Sequence, residues 1–452
     1  MKKRKITLST TQIIMLSFLI AILVGSALLS LPISAKNGES VSYIDALFTA
    51  TTATCVTGLV TLPTATTWSI FGQIVILVLI QIGGLGIITI MAGVMVALHH
   101  KLGLKESQLI GDAFNINSLS GLAAFVKKVI IGTFIVEGIG ALLYMLVFVP
   151  ELGARGVWVA IFNSVSAFCN AGMDIVGENS LCNYATNPLI NIVTSSLIIL
   201  GGLGYIVWWD VIRVFKEFKK MKFNCLSKLT LHSKIVLVST FVLVVGGATL
   251  IFAFEYNNPL TIKEYSVFDK IQMSFFQSIT TRTAGFMTIP QENLTNASSI
   301  VSLLLMFVGG SPVGTAGGVK TVTIVALFAT AYSTIRNKTE VSLFNRSLSR
   351  QITSKAVAVT CMSFAIVTLS TIFLSVAVNA SALDIMYETV SATATVGLSK
   401  GITPFLNVWG KLIIIATMYF GRIGPISLAI AFQSKKENIN SIKNPTEEIS
   451  VG

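Results

Sequence analysis

Four short segments of small residues, each ending in glycine, are the part of this chain best suited to binding an ion. One of them contains Thr-Val-Gly at 395–397, which also begins the loop of potassium-channel filters, where backbone carbonyl oxygens replace the water shell of the ion. Glycine suits such a loop because it adopts positive φ without steric cost and so turns a carbonyl group inward. We predict that potassium binds to main-chain carbonyl oxygens of these segments: Thr54, Cys55, Val56, Thr57 and Gly58; Phe168, Cys169, Asn170, Ala171 and Gly172; Thr281, Arg282, Thr283, Ala284 and Gly285; and Thr393, Ala394, Thr395, Val396 and Gly397.

The spacing of the four segments indicates an internal repeat. Gly58, Gly172, Gly285 and Gly397 follow one another at intervals of 112 to 114 residues, and such a regular period is typical of a repeated structural unit. A competing interpretation takes these glycines as small residues at helix contacts in a membrane. The position of each glycine just after a short apolar stretch favours the filter interpretation.

Those apolar stretches must position the segments, and they are too short to cross a membrane, which takes a helix of about 20 residues. They are predicted to be re-entrant pore helices whose partly negative C-terminal ends point at the ion. The four short stretches cover residues 43–53, 157–167, 267–280 and 383–392. Longer apolar stretches flank each of them, at 13–31, 68–98, 129–149, 188–215, 235–254, 299–335, 356–378 and 408–432.

This order predicts an all-α membrane protein of four parallel M1–P–M2 repeats around a single central pore. M1 and M2 are transmembrane helices and P is the pore helix, which makes eight transmembrane helices and four re-entrant pore helices. Irregular backbone is not tolerated against lipid, so the glycine segments must line a protected, water-filled axis. The predicted boundaries are 1–98 for repeat 1, 99–222 for repeat 2, 223–340 for repeat 3 with its broken M2, 341–432 for repeat 4 and 433–452 for a cytoplasmic tail.

The composition is that of an integral membrane protein. Hydrophobic residues make up 53% of the chain and charged residues 12%, far from the averages of soluble domains. The net charge of +12 comes mostly from lysine and arginine in segments predicted to be cytoplasmic, as the positive-inside rule expects, which argues against a nucleic-acid partner. We predict a multi-pass plasma-membrane protein, in contact with lipid and with both termini in the cytoplasm.

Side chains suited to enzymatic chemistry are not grouped in this sequence. The five cysteines and three histidines have no metal-ligand spacing, and neither a nucleophile–base pair nor a nucleotide-binding motif is present. We therefore expect a protein that is not an enzyme, with no catalytic residue and no cofactor of its own. Its ions would be potassium as the transported cation and, as an open question, sodium.

A glycine-rich stretch interrupts the third outgoing apolar segment and is predicted to be a gate. Proline and glycine break helices, and irregular backbone just below the filter would block the pore. A phosphate-binding loop is the competing interpretation, but Val319 stands where such a loop has a glycine before its lysine. The predicted gate residues are Gly309, Gly310, Ser311, Pro312, Gly314, Thr315, Gly317, Gly318 and Lys320, together with Arg422 of the last apolar segment.

Three charged residues inside apolar segments need partners. An arginine at the centre of a membrane helix costs about 2.5–3.5 kcal/mol, so Arg422 should face the pore or a partner unless it snorkels toward the cytoplasm. Arg282, beside the third glycine, is expected to pair with an outer carboxylate such as Asp269. Glu137 is expected to be a packed structural partner rather than an ion ligand.

Several stretches along the chain also carry a family likeness. They run from Leu-Pro-Ile-Ser at 31–34 to Gly-Arg-Ile-Gly-Pro at 421–425, and include Ile-Asp-Ala-Leu-Phe-Thr-Ala at 44–50, Leu-Ile-Gln-Ile-Gly-Gly-Leu-Gly at 79–86 and Arg-Thr-Ala-Gly-Phe at 282–286. With these the sequence resembles the potassium-translocating membrane subunits of Ktr-type uptake systems, in the Ktr/Trk/HKT superfamily. The resemblance implies filter roles for the four glycines, a gate role for 309–320 and a place for Arg422 beside it. It also implies a homodimer, each protomer with its own pore, docked on a cytoplasmic ring of RCK-type nucleotide-binding regulatory subunits.

Two features of the segments depart from the family pattern and bear on selectivity. They are Cys169 in the second segment and the pair Thr393 and Ala394 in the fourth, where the resemblance implies Phe-Gly.

Together these features predict potassium uptake across the plasma membrane through a channel-like pore, gated by the intramembrane loop and by the cytoplasmic partner. The alternative is a secondary potassium symporter coupled to sodium or protons. Such carriers usually contain paired intramembrane carboxylates or inverted repeats, whereas the repeats predicted here are parallel and Glu137 is nearly alone. The sequence leaves open whether sodium activates the protein or is co-transported.

Overall fold

A computed structural model gives the fold and describes residues 9–97, 122–216, 227–338 and 340–424. Within these ranges the chain is mostly helical, with one two-stranded hairpin formed by residues 342–343 and 346–347. The predicted basic N-terminus, most of the predicted link at 99–128 and the predicted tail at 433–452 lie outside the described ranges.

The helices follow one order along the four quarters of the chain: a long helix, a short helix, and then an outgoing helix. The first quarter contains α1 (Thr10–Leu29), α2 (Tyr43–Cys55), α3 (Ile70–Leu85) and α4 (Ile87–Ala97). The second contains α5 (Leu122–Leu152), α6 (Ala154–Cys169), α7 (Pro188–Leu203) and α8 (Tyr205–Lys216). The third contains α9 (Leu231–Glu255), α10 (Val267–Thr280), α11 (Asn296–Phe307) and α12 (Thr321–Ile335). The fourth contains α13 (Arg350–Ala377), α14 (Ala382–Ala394) and α15 (Val408–Ile423).

The first helix of each quarter is long and apolar enough to cross a membrane. Among the described residues four unbroken helices have the required length and composition, and they are α1, α5, α9 and α13. They expose large hydrophobic side chains, including Phe134, Leu142, Phe241 and Val376. Apolar surface of this extent is typical of contact with a membrane rather than with water.

The short helices α2, α6, α10 and α14 form the buried centre, and each ends at one of the glycine segments. The N-termini of α10 and α14 are set locally: Ser266 and Ser381 accept hydrogen bonds from the backbone N–H groups of Asp269 and Asp384, and both aspartates favour the positive end of the helix dipole. Each helix buries one aromatic side chain at nearly the same distance before its glycine: Phe48, Phe162, Phe276 and Tyr387. The predicted bounds of α10 are confirmed, whereas the other three helices extend by one to three residues beyond one or both predicted ends.

The outgoing helices of the first two quarters are interrupted, which corrects the prediction of continuous helices at 68–98 and 188–215. α3 ends at Gly86 (φ 81°, ψ 134°), α7 at Gly204 (φ 86°, ψ 141°) and α15 at Gly424 (φ 86°, ψ 144°). This backbone conformation is essentially restricted to glycine. The helix axis turns by 100° between α7 and α8. The Gly-Gly-Leu-Gly motifs at 83–86 and 201–204 therefore mark the breaks.

In the third quarter the break is an extended loop rather than one glycine, as predicted. Residues 308–320, which we call the gate loop, separate α11 from α12. The loop folds back on itself, because Gly309 N donates to Val319 O at 3.0 Å and Val319 N donates to Phe307 O at 3.2 Å. These internal bonds satisfy backbone groups that a helix would otherwise pair.

Candidate functional site

The four predicted glycines meet in a closed ring. A Cβ built on Gly58 would lie 2.6 Å from the carbonyl oxygen of Ala171, the residue that precedes the glycine of the next quarter. The equivalent contacts join Gly172 to Ala284 O, Gly285 to Val396 O and Gly397 to Thr57 O. All four distances are shorter than those at which real Cβ atoms lie from other heavy atoms, apart from the rarest cases. Each glycine α-carbon thus abuts a carbonyl oxygen of the following quarter, and the last quarter closes on the first.

The backbone leading into the ring has a left-handed residue at the same place in all four quarters, although α10 ends five residues before its glycine and the other three short helices end three residues before theirs. Two residues before each glycine φ is positive, at Val56 (56°), Asn170 (60°), Thr283 (64°) and Thr395 (51°), and it is positive again at the glycine. Left-handed backbone costs a non-glycine residue roughly 1–2 kcal/mol, so the surrounding structure must hold these residues in place. The contacts around the ring must therefore stabilise this backbone conformation.

Hydrogen bonds to the preceding short helix supply that support. The backbone N–H before each glycine donates to a helix carbonyl at 2.8–2.9 Å: Thr57 to Thr52, Ala171 to Ser166, Ala284 to Thr280 and Val396 to Ser391. The hydroxyl groups of the same four helix residues also bond the segments. Thr52 and Ser391 accept from the glycine N–H, whereas Ser166 and Thr280 donate to Met173 O and Phe286 O.

Not every predicted filter residue lies at the ring. Thr54 and Cys55 belong to α2, Phe168 and Cys169 to α6, and Thr393 and Ala394 to α14. The carbonyl oxygens of Thr54, Phe168 and Thr393 instead pack against glycines of the outgoing helices, at Gly83, Gly201 and Gly421. The carbonyl oxygens brought to the ring are those of Thr57, Ala171, Ala284 and Val396.

The gate loop contacts the second and fourth quarters next to the ring. Ser311 N donates to Gly202 O at 2.9 Å, and Tyr205 N donates to Val313 O at 3.0 Å, which ties the loop to the break between α7 and α8. On the other side Gly317 lies against Thr395, and a Cβ on Gly317 would collide with the Thr395 hydroxyl and lie 2.7 Å from Ala394 O. The loop of one quarter thus bridges the two neighbouring quarters.

Arg422 faces the gate loop, so the partner that its burial requires is present. Its Nη1 donates to Thr315 O at 2.6 Å and its Nη2 donates to Gly83 O in the first quarter. Lys320 folds back onto the same loop, with Nζ donating to Ala316 O at 2.5 Å. Two cationic side chains therefore hold the loop in place through its carbonyl oxygens.

Arg282 does not pair with Asp269, which corrects the sequence-based expectation. Asp269 accepts from Ser266 in the first turn of α10, whereas Arg282 follows the last turn and is buried. About 20 Å of helix separates the two ends. Arg282 Nη2 instead reaches Gly309 O of the gate loop at 3.5 Å, and Arg282 lines a small cavity with Gly202, Thr240 and Gly310.

Glu137 is packed behind the second segment, as expected of a structural partner. Gln81 Nε2 donates to both carboxyl oxygens at 3.2 and 3.3 Å, and the Cys169 thiol lies 3.8 Å from Oε1. Ser164 Oγ donates to the backbone carbonyl of Glu137 at 2.6 Å. Sequence reasoning missed Gln81, although its place next to the Gly-Gly-Leu-Gly motif and opposite a carboxylate offered a signal.

Sequence reasoning also missed an ion pair that joins the fourth quarter to the first. Lys411 Nζ in α15 lies 2.5 Å from Asp45 Oδ1 in α2, and both side chains are mostly buried. Tyr419 in the same helix donates its hydroxyl to Met15 O of α1 at 2.9 Å. Asp45 lies in the stretch at 44–50 that carries the family likeness, but that stretch does not indicate its partner, so only the opposite charges in apolar surroundings could have indicated the pair.

A carboxyl group lies in the loop just after the second glycine. Burial raises the pKa of Asp174 to about 6, although bonds from Ser180 and from the backbone of Val176 and Gly177 act in the opposite direction. The group is therefore mostly ionised at neutral pH and gains a proton on mild acidification.

Comparison with known proteins adds the family. The family described as TrkH, cation transport protein, matches residues 2–443. The chain is 38% identical over 444 residues to Ktr system potassium uptake protein B of Bacillus subtilis, covering 98% of this chain and 96% of that protein. It is 37% identical over 459 residues to the potassium/sodium uptake protein NtpJ of Enterococcus hirae, covering 100% of this chain and 99% of that protein.

A solved structure has the same fold. The crystal structure of the potassium transporter TrkH from Vibrio parahaemolyticus superposes with a TM-score of 0.73 and covers 96% of this chain and 86% of that one. The sequence identity is 18%, so the match concerns the fold alone.

Proposed function

This chain belongs to the TrkH family of cation transport proteins, and we propose that it takes up potassium through a channel-like pore along the axis of the glycine ring. The observation that carries the proposal is the ring, in which carbonyl oxygens from all four quarters converge. Such oxygens replace the hydration shell of a potassium ion. The names of the relatives in B. subtilis and E. hirae support potassium as the ion, and the second name adds sodium.

In this proposal each quarter is one M1–P–M2 repeat, and the four parallel repeats surround one pore. Each outgoing helix counts as one span despite its break, which makes eight transmembrane helices with both termini in the cytoplasm. The recurring order of helices supports this organisation, as do the shared backbone of the segments and the glycine breaks. The short helices direct their C-terminal ends, with partial negative charge, toward the cation.

The gate loop closes this pore on the cytoplasmic side of the ring. Its contacts with Thr395 and with Gly202 support a position across the path of the ion, and Lys320 and Arg422 add positive charge there. α12 follows the loop directly and leads to the hairpin at residues 342–347. We propose that the protein is a homodimer docked on a cytoplasmic RCK-type nucleotide-binding ring, which opens the pore by moving α12 and with it the loop.

The decisive experiment compares ion fluxes in lipid vesicles that contain the purified protein. Potassium flux should exceed sodium flux, and Gly285→Ser should lower the ratio because a side chain there displaces the carbonyl of Val396. Gly246→Ser is the matched control, because a Cβ at Gly246 meets nothing within 4 Å. Parent-like flux and selectivity in a folded Gly285→Ser protein would contradict the proposed pore.

Symport with sodium or protons is the second candidate, and the buried carboxyl group of Glu137 is the observation that favours it. Reversal potentials in the same vesicles separate the two mechanisms. In a potassium-selective channel the reversal potential follows the potassium gradient alone. In a symporter it shifts with the gradient of the coupled ion as well.

A further inference from the structure

Thr315 of the gate loop uses every polar atom it has to join parts of the chain that are distant in sequence. Its backbone N–H donates to Gly201 O in α7 at 3.1 Å, and its carbonyl oxygen accepts from Arg422 of the fourth quarter. Its hydroxyl lies 3.1 Å from Phe168 O and 2.9 Å from Asn170 Oδ1, both in the second glycine segment. The residue is completely buried. The hydroxyl is thus a direct polar contact between the gate loop and the segment that forms the ring.

Asn170 is the position where this contact matters most. It holds left-handed backbone with φ of 60°, and the next residue, Ala171, presents its carbonyl oxygen to the ring. Among the described residues its side-chain nitrogen has no hydrogen-bond partner. The bond from Thr315 is therefore the one that fixes the side chain of a strained residue next to a predicted ion ligand.

We propose that Thr315 is a positioning residue for the ring, so that the position of the gate loop sets the ion selectivity of the second segment. The inference rests on the proposed potassium pore and adds a coupling to it. When the loop is closed, the hydroxyl holds Asn170 and the carbonyl of Ala171 in the symmetric arrangement. When the loop withdraws, Phe168 O and Asn170 Oδ1 lose this donor and the second segment relaxes.

The coupling must act in both directions. If loop position changes the affinity of the ring for potassium, potassium in the ring changes the stability of the closed loop by the same factor. A gate loop that only obstructs the pore would change the amount of flux and leave the discrimination between ions unaltered. This difference separates the proposal from a purely steric or structural role of Thr315.

The test compares Thr315→Val, which keeps the size of the side chain and removes the hydroxyl, with two other variants. Thr315→Ser keeps the hydroxyl. Ser311→Ala removes another buried hydroxyl of the same loop, one that bonds only Thr321 within the third quarter at 3.1 Å. The readouts in vesicles are the potassium-to-sodium flux ratio and the potassium concentration that gives half-maximal flux.

Thr315→Val should change the flux ratio and the half-maximal concentration by about three- to tenfold, the effect of losing one buried hydrogen bond. Thr315→Ser should restore the parent values, and Ser311→Ala should change maximal flux only. Parent-like ratio and half-maximal concentration in Thr315→Val, with only the maximal flux altered, would overturn the proposal. So would equal changes of the ratio in Thr315→Val and Ser311→Ala.

If Thr315→Val does not fold, Thr315→Ala and Asn170→Ala test the same bond from its two ends and should shift the ratio alike. A ratio that changes in one of them and not in the other would contradict the coupling. If the parent protein itself shows no potassium flux, the proposed function is refuted, and the inference about Thr315 falls with it.

Discussion

In the glycine ring all four quarters place a left-handed residue two positions before the glycine, whereas immediately next to it the third quarter differs from the other three. At the ring the φ angles and the contact from each glycine to the next carbonyl repeat fourfold. At the breaks of the outgoing helices the first and second quarters each use one glycine and the third uses residues 308–320, while the described part of the fourth outgoing helix ends at Gly424. The symmetry is kept where an ion would be bound and lost where a moving part is proposed.

The two regions have different physical requirements. A cation without its water shell needs oxygen ligands on all sides, so a defect in one quarter affects the whole site. A gate needs only one element that can occupy the path and leave it. A loop held by a few hydrogen bonds, such as those to Gly202 O and from Arg422, can move without unpacking a long helix.

The largest effect is expected when the symmetric region is changed. Serine at any of the four ring glycines should reduce the potassium-to-sodium flux ratio at least about tenfold, because moving a ligand oxygen removes roughly 1.4 kcal/mol or more of ion binding. The Cβ contacts are alike at Gly58, Gly172, Gly285 and Gly397, so the four losses should be of similar size. Flux ratios in vesicles measure this, and one position that tolerates serine with parent selectivity would break the fourfold comparison.

Removing the asymmetric element should have the next largest effect. Deletion of residues 311–317 should raise maximal potassium flux about tenfold, as expected for removing a barrier of roughly 1.4 kcal/mol, and should make flux less dependent on the cytoplasmic partner. Flux is measured with and without that partner. If the deleted protein folds, keeps its partner and conducts no faster than the parent, the gate lies elsewhere.

Arg422→Met should raise flux about three- to fivefold, since it removes the hydrogen bond to Thr315 O that holds the loop but keeps an apolar stem of similar length. The control is Arg155→Met, because Arg155 is exposed at the start of α6. Equal fluxes in the two variants would mean that Arg422 only anchors α15.

The smallest effect is expected from alanine at the glycines that break the first and second outgoing helices. Gly86→Ala and Gly204→Ala place alanine in the same strained conformation, so both should lose stability by about 1–3 kcal/mol. Only at Gly204 does the new methyl group also meet the gate loop, at Pro312 O. The melting temperature should therefore fall in both variants and further in Gly204→Ala, and flux should rise about twofold only in Gly204→Ala, where the methyl group displaces the loop at Pro312 O. The same rise in Gly86→Ala would show that backbone strain, not the loop, changes flux.

The repeated features of the molecule could be predicted from sequence because their signals are local or periodic. The glycine intervals indicated which residues meet in the ring, and the length of the short apolar stretches indicated α2, α6, α10 and α14. The broken third helix was likewise visible in residues 309–318. These are features that neighbouring residues specify by their own conformational preferences.

Features that depend on distant partners could not be predicted in the same way. The contact of Gly204 with Pro312 O depends on the gate loop, and Arg282 is directed to that loop rather than to Asp269. The pair of Asp45 and Lys411 joins residues 366 positions apart. A single sequence gives the charges of such a pair but not which of many charged residues will meet.

That pair has a consequence for how the protein is made. Chains enter the membrane from the N-terminus at about 5–20 residues per second, so roughly 20–70 s separate the synthesis of the first and the last glycine segment. Until α15 arrives, Asp45 has no Lys411 and Gly58 has no Gly397 beside it. A nascent chain without the fourth quarter therefore holds three sides of a ring, and the axis proposed as the path of the ion is enclosed only when the last quarter is in place.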